Sequence, residues 1–124
     1  MDLLAHVLIA EDEANLVESL SFILSVEGFQ VSAVFDGKAV LERLRSERPD
    51  VLVLDVMMPK GTGFEILKLI KNDPSLRSVP VMILTAKGQE RDRKIAFDLG
   101  ADAFVTKPFS NEDIVERLRQ LAGI

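Results

Sequence analysis

Several kinds of chemistry are excluded by what this chain lacks. It has no cysteine, which rules out disulfide frameworks, thiolate zinc sites and cysteine nucleophiles. Its formal net charge is −5, so it has no basic surplus for a phosphate backbone, and any DNA contact would belong to another chain or domain. No apolar run approaches the roughly 20 residues of a membrane span, and the first residues lack the basic start of a signal peptide. We therefore expect a cytoplasmic protein with no direct nucleic-acid or membrane contact.

What is present is a regular alternation of apolar strands and amphipathic helices. The 124 residues, 48% of them hydrophobic, are enough for one core and predict a single domain over residues 1–124. Five strands alternating with five helices predict a doubly wound α/β fold, a parallel sheet for which the order 2-1-3-4-5 is the commonest. The strands are expected at His6–Ala10, Gln30–Val34, Val51–Leu54, Pro80–Leu84 and Ala103–Val105.

The helices are marked by apolar stripes and by residues that start or stop a helix. Gly28 is suited to a left-handed cap after the first helix, and the fourth helix has the thinnest apolar edge, which makes it a candidate moving part. The helices are expected over Glu13–Glu27, from Asp36 to Pro49, from about Phe64 to Asp73, over Glu90–Leu99 and after the cap residue Ser110.

Polar residues of complementary type follow four of the predicted strands. Asp55 follows the most apolar strand, the pair Glu11 and Asp12 follows the first, and Thr85 and Lys107 follow the fourth and fifth. In open parallel sheets, ligands bind beyond the carboxyl ends of the strands. Acids, a hydroxyl and an ammonium are therefore expected to converge at one edge of the sheet.

This set of residues favours magnesium and phosphoryl transfer. Clustered carboxylates repel one another unless a cation joins them, and Mg²⁺ takes oxygen ligands. Asp12 and Asp55 could bind it directly, Glu11 through water, and Met57 through its backbone carbonyl. With His6 as the sole imidazole and no thiols, zinc is not expected. A carboxylate beside a metal, a lysine and a hydroxyl is equipped to accept a phosphoryl group.

Taken together and in order, these residues match a known family. The chain resembles, over nearly its whole length, the receiver domain of bacterial two-component response regulators, which have the CheY-like version of the flavodoxin-like fold. The matching positions are Glu11-Asp12, Asp55 followed by Met-Met-Pro, Gly63, Thr85-Ala86 and Lys107-Pro108-Phe109.

The resemblance implies a phosphorylation-dependent signalling switch. Asp55 would accept a phosphoryl group from a phosphohistidine of a sensor histidine kinase or histidine phosphotransfer protein. Mg²⁺ would be bound by Asp12, Asp55 and the Met57 carbonyl, and Lys107 would pair with the phosphoryl oxygens. The chain would not be an enzyme in the usual sense, because it would catalyse only its own phosphoryl transfer and dephosphorylation.

The resemblance also implies how the signal is passed on. Thr85 would move to hydrogen-bond the phosphoryl group while Phe104, at the aromatic switch position, turns inward, and the Lys107-Pro108 bond would be cis. Two positions depart from the commoner pattern. Glu11 replaces an aspartate, which is expected to be nearly silent because glutamate can still hold a metal-bound water. Phe104 replaces a frequent tyrosine and so lacks its hydroxyl.

Helix 4, strand 5 and helix 5 would form the output surface, facing a downstream output domain or protein. In similar receivers this surface forms a symmetric dimer through paired acids and bases. Asp102 and Arg117 could form one such pair, but Ala103 stands where a second acid is often found. We therefore expect a monomer before phosphorylation and at most a weak homodimer after it.

Other interpretations stay open at this point. The chain could be an aspartate-nucleophile, Mg²⁺-dependent phosphatase of the haloacid dehalogenase type, although its acids do not follow the Asp-x-Asp pattern after the first strand. It could also be a degenerate receiver that acts only as a protein-binding module. Individually, Asp12 could merely start a helix, Phe104 could be ordinary core, and His6 is expected at the surface or at a sheet edge.

Overall fold

The computed structural model describes residues 4–57, 63–86 and 90–124. Within them a five-stranded parallel sheet in the order β2-β1-β3-β4-β5 is surrounded by five helices, which confirms the predicted fold. The strands are β1 His6–Ala10, β2 Gln30–Val34, β3 Val51–Asp55, β4 Val81–Thr85 and β5 Ala103–Thr106. The helices are α1 Ala14–Val26, α2 Gly37–Glu47, α3 Gly63–Asn72, α4 Glu90–Asp98 and α5 Asn111–Ala122.

The core consists of two apolar layers, one on each face of the sheet. Successive residues of a strand point to opposite faces. Leu52 and Leu54 therefore pack in the layer under α2, α3 and α4, while Val51 and Val53 pack in the layer under α1 and α5. Strands covered on both faces are apolar throughout, which explains the unbroken hydrophobic run of β3.

The central strands extend one residue further than the apolar pattern predicts. Asp55 is the last residue of β3 and pairs with Leu84, and Thr85 is the last residue of β4 and pairs with Thr106. The ladder continues because its hydrogen bonds come from the backbone and do not depend on the side chain. Asp55 and Thr85 are consequently fixed by the sheet itself.

The helix ends follow the local signals. The side chains of Asp36 and Ser110 cap α2 and α5, and Gly28 has the left-handed backbone expected after α1, with a φ of 93°. Ala96 is the single buried residue of α4, as its thin apolar edge predicts. None of the helices in the described ranges has both the length and the apolar character needed to cross a bilayer.

The prediction for His6 is wrong. His6 begins β1, an interior strand, and is half-buried. Its ring lies 2.8 Å from Ser32 Oγ, and the Ser32 hydroxyl in turn donates to Glu47. This contact lies at the opposite edge of the sheet from the residues considered next.

Candidate functional site

Three carboxylates meet at the carboxyl edge of the sheet, as predicted. Glu11 and Asp12 follow β1, Asp55 ends β3, and one oxygen from each lies within 4.8 Å of the other two. Glu11 and Asp55 are only 1% and 3% exposed, whereas Asp12 is exposed. The cluster therefore has a buried floor and one carboxylate open to solvent.

Asp12 is not the cap of the following helix. The N-cap of α1 is Glu13, whose side chain makes no capping hydrogen bond. The plainer interpretation of Asp12 as a helix start is therefore not supported, and its carboxylate stands at the rim of the cluster.

The ammonium of Lys107 lies against this cluster. Its Nζ is 2.5 Å from Glu11 Oε1 and 3.7 Å from Asp55 Oδ2, and its backbone N–H donates to the carbonyl of Thr85 at 2.8 Å. Burial pulls the pKa of Lys107 down, but the Glu11 hydrogen bond and the charges of Asp55, Glu11 and Glu13 outweigh it. The pKa of Lys107 is therefore raised, and the group is a stable cation at neutral pH.

The carboxylate of Asp55 is held in one orientation. Its Oδ1 accepts a hydrogen bond from the backbone N–H of Met57 at 2.9 Å, and its Oδ2 faces Lys107. The side chain of Met57 is 54% exposed, so the strand end opens directly to solvent here. Met58 and Pro59, which complete the family motif, lie outside the described residues.

Gly63 allows α3 to begin directly against the end of β3. Its N–H donates to the Val56 carbonyl at 3.1 Å, and a Cβ on Gly63 would lie 2.4 Å from Val56 Cα and 2.9 Å from the Asp55 carbonyl oxygen. Any side chain would push α3 away from the strand that carries Asp55. The sequence identifies Gly63 as one of the positions that match the family, but the close approach of the two backbones is visible only in the structure.

Thr85 and Phe104 lie on the neighbouring strands. Thr85 is fully buried at the end of β4, and Phe104 is 5% exposed, packed in the layer under α2, α3 and α4. Phe104 is thus part of the core, and its role as a switch stays a prediction. The Lys107-Pro108 peptide bond is cis, as the resemblance implies.

The donor set fits a magnesium ion. All three acidic groups offer oxygen, which Mg²⁺ prefers, and one ammonium is set against three carboxylates. Because two of these carboxylates are buried, the excess negative charge favours a divalent cation at the exposed side, next to Asp12.

Comparisons with known proteins agree with this geometry. The family model "Response regulator receiver domain" matches residues 7–119. The chain is 39% identical over 114 residues to the phosphate regulon transcriptional regulatory protein PhoB of Klebsiella pneumoniae, covering 92% of this chain and 50% of that protein. It is 38% identical over 116 residues to the sensory transduction protein RegX3 of Mycobacterium tuberculosis, covering 94% of this chain and 50% of that protein.

Solved structures give the same result. The receiver domain of the Francisella response regulator 1452 superposes with a TM-score of 0.90 at 28% identity, over 96% of this chain and 97% of that one. The chemotaxis response regulator CheY4 of Vibrio cholerae has a TM-score of 0.88 at 28% identity, over 96% of this chain and 99% of that one. The chain spans about half the length of the curated relatives it matches.

The two other interpretations are not favoured. The haloacid dehalogenase type of phosphatase is not among the families that these comparisons indicate. A degenerate binding module would not need the acids and the lysine that the structure brings together.

Proposed function

The chain belongs to the response regulator receiver domain family, and from that premise we propose that Asp55 accepts a phosphoryl group from a phosphohistidine of a sensor histidine kinase or histidine phosphotransfer protein. One observation carries the assignment to Asp55. Asp55 is the buried last residue of a central strand, and its Oδ2 lies 3.7 Å from the Lys107 Nζ. Two further carboxylates each have an oxygen within 4.8 Å of an Asp55 oxygen. The exposed Asp12 and Met57 leave this edge open to a partner.

The transfer is a single displacement. An oxygen of Asp55 attacks phosphorus, the P–N bond to the partner's imidazole breaks, and the imidazole leaves with the electron pair of that bond. Asp12, Asp55 and the Met57 carbonyl would hold Mg²⁺, with Glu11 acting through a water, and the bound ion would supply positive charge for the phosphoryl oxygens. The Lys107 ammonium pairs with one of these oxygens, and the Thr85 hydroxyl donates to another.

The same groups end the signal. Water attacks the aspartyl phosphate, so that the chain releases phosphate and recovers Asp55. The protein thus catalyses its own phosphorylation and dephosphorylation and has no metabolite substrate. Thr85 moves to the phosphoryl group, and Phe104 on the adjacent strand transmits that movement towards α4, which is anchored by one buried residue.

The output is carried by another domain or protein. The matched relatives are about twice as long as this chain, and one is a transcriptional regulator by name. We place the exchange in the cytoplasm, where sensor kinases phosphorylate their regulators, and assign any DNA contact to the output partner. The net charge of −5 supports this division.

Self-association through α4, β5 and α5 is weak in this proposal. The two residues expected to pair between subunits already have partners within the chain. Asp102 accepts from Lys71 Nζ at 3.2 Å, and Arg117 Nε lies 3.1 Å from Asp113. Sedimentation velocity with and without beryllofluoride is expected to show a monomer and at most a weak dimer. A tight dimer in both states would contradict the switch, and a monomer in both would assign the output to a separate protein.

Labelling by a small phosphodonor tests the central proposal. The protein is incubated with phosphoramidate and Mg²⁺, and its intact mass is measured. The wild type is expected to gain one phosphoryl group, and Asp55→Ala and the EDTA-treated protein are expected to gain none. Asp50→Ala is the matched control, because Asp50 immediately precedes the same strand at its other end. Unchanged labelling of Asp55→Ala would refute the proposal.

A further inference from the structure

Glu13 is an acidic residue at the opening of the site that the phosphoryl transfer described above does not use. It is exposed and lies between Asp12 and the first residue of α1. Its backbone N–H donates to Glu11 Oε2 at 3.2 Å, which ties it to the buried floor of the site. Although Glu13 is the N-cap of α1, its side chain makes no capping hydrogen bond. Its carboxylate is therefore held at the site without being committed to the helix.

The charge of Glu13 reaches the place where a phosphodonor would bind. Glu13 and Lys107 line the same cavity, of about 280 Å³. Burial lowers the pKa of Lys107, and the hydrogen bond to Glu11, followed by the charges of Asp55, Glu11 and Glu13, raises it. A charge that acts on the Lys107 ammonium also acts on a phosphodonor placed beside that ammonium.

The first helix offers no basic residue that could neutralise Glu13. The chain has no lysine or arginine before Lys38, so α1 and the segment before it carry acids without either cation. In the proposed function Asp12 would hold Mg²⁺, and Lys107 would pair with the phosphoryl oxygens. Glu13 then stays available to the part of the phosphodonor that leaves.

We propose that Glu13 is a specificity-determining residue that favours phosphodonors whose leaving group is a positively charged nitrogen over acyl phosphates. The inference rests on the proposed function of Asp55, whose oxygen forms the new bond to phosphorus in both cases. In phosphoramidate the P–N bond breaks, and the ammonium nitrogen takes the electron pair and leaves as ammonia. In acetyl phosphate the P–O bond breaks, and the oxygen takes the electron pair and leaves as acetate. A carboxylate at the opening attracts the first leaving group and repels the second.

The preference is measured as the ratio of the labelling rate with phosphoramidate to that with acetyl phosphate, at saturating Mg²⁺. We expect this ratio to fall about threefold in Glu13→Gln, which removes the charge, and about tenfold in Glu13→Lys, which reverses it. A general loss of Asp55 reactivity cancels, because both rates come from the same protein. Glu18→Gln and Glu18→Lys make the same changes at an exposed position of α1 and should keep the wild-type ratio.

The effect of Glu13 should depend on salt because it is electrostatic. At about 1 M ionic strength the Debye length falls to about 3 Å, so the wild type and Glu13→Gln should approach the same ratio. A difference that is equally large at low and high salt would attribute the preference to shape and overturn the inference.

The potential at the opening can also be measured without a phosphodonor. A cationic and an anionic nitroxide of the same size relax amide protons according to their local concentrations, which NMR compares at the amides of Glu13 and Ala14. In Mg²⁺-saturated protein we expect the cation to be more enriched there in the wild type than in Glu13→Gln. Equal enrichment would overturn the inference.

The outcomes separate this inference from the proposed function. If neither donor labels Asp55, the proposed function fails, and the donor preference fails with it. If Asp55 is labelled but Glu13→Lys keeps the wild-type ratio at low salt, the role of Glu13 fails alone.

Discussion

Lys71 and Lys107, both partly buried, lie at opposite edges of the sheet and are bound in different ways. Lys71, at the end of α3, is 16% exposed and lies at the amino edge. Its Nζ donates to the carbonyls of Arg77 and Val79, at 3.1 and 2.9 Å, and to Asp102 at 3.2 Å. These acceptors stand just before β4 and β5, so Lys71 ties a helix and two strands together.

Within the described residues, the ammonium of Lys107 at the carboxyl edge has carboxylates alone as its partners. Its Nζ faces the carboxylates of Glu11 and Asp55, and within the described residues it donates to no backbone carbonyl. Three acceptors, two of them backbone carbonyls, satisfy the Lys71 ammonium completely, whereas the carboxylate partners of Lys107 can be exchanged for another anion. The comparison teaches that Lys71, with two backbone carbonyls among its acceptors, serves the structure, whereas we expect Lys107, whose partners are carboxylates, to be available to a phosphoryl group.

The largest effect is expected when Lys107 is removed. In the proposed function Lys107 stabilises developing charge on the phosphoryl oxygens, so Lys107→Ala should remove this cation, and loss of one such donor costs on the order of a hundredfold in rate. Single-turnover labelling with phosphoramidate and Mg²⁺ measures this. If Lys107→Ala keeps the wild-type rate, the contrast between the two lysines is wrong.

Mg²⁺ bound at the carboxyl edge should increase the free energy of unfolding of the protein. At about one hundred times its Kd, a ligand adds about 2.7 kcal/mol to the free energy of unfolding, so Mg²⁺ should raise the melting temperature. Asp12→Ala should abolish that rise because it removes the exposed carboxylate, while Asp50→Ala, at the amino edge, should keep it. Equal shifts in the wild type and Asp12→Ala would exclude the site as described.

Lys71→Ala is expected to affect stability and not chemistry. Two carbonyls and a carboxylate lose a donor, which should lower the free energy of unfolding by about 1–3 kcal/mol. Urea denaturation measures the loss, and phosphoramidate labelling should proceed at the wild-type rate. A labelling defect in the folded variant would show that the two edges are coupled.

The smallest effect concerns Asp73, in the loop after α3. The hydroxyl and N–H of Ser75, followed by Arg45, lower the pKa of Asp73 below its ordinary value of 3.8. A lowered pKa in the folded state adds stability above the unfolded pKa, and this stability is lost as the pH falls through the folded value. In Ser75→Ala the free energy of unfolding should therefore fall less steeply with decreasing pH on the acid side. Near neutral pH its dependence on pH should be nearly parallel to that of the wild type.

The sequence predicts the fold, and also that the polar residues after the strands meet at one edge, because both follow from the local pattern of apolar and polar residues. Apolar strands that end in Asp55 and Thr85 must deliver these groups to one edge once the sheet is parallel. The partner of Lys107 and the close approach of Gly63 depend on side-chain reach and on distances between backbones that are far apart in sequence. For the same reason the contact of Lys71 with Asp102, 31 residues away, has no sequence signal.

The most direct test is to identify which of the three clustered carboxylates receives the phosphoryl group. An acyl phosphate is reduced by borohydride to an alcohol, which mass spectrometry of peptides locates to a single residue. After incubation with phosphoramidate and Mg²⁺, the account predicts reduction at Asp55 alone. Reduction at Glu11 or Asp12 would contradict it.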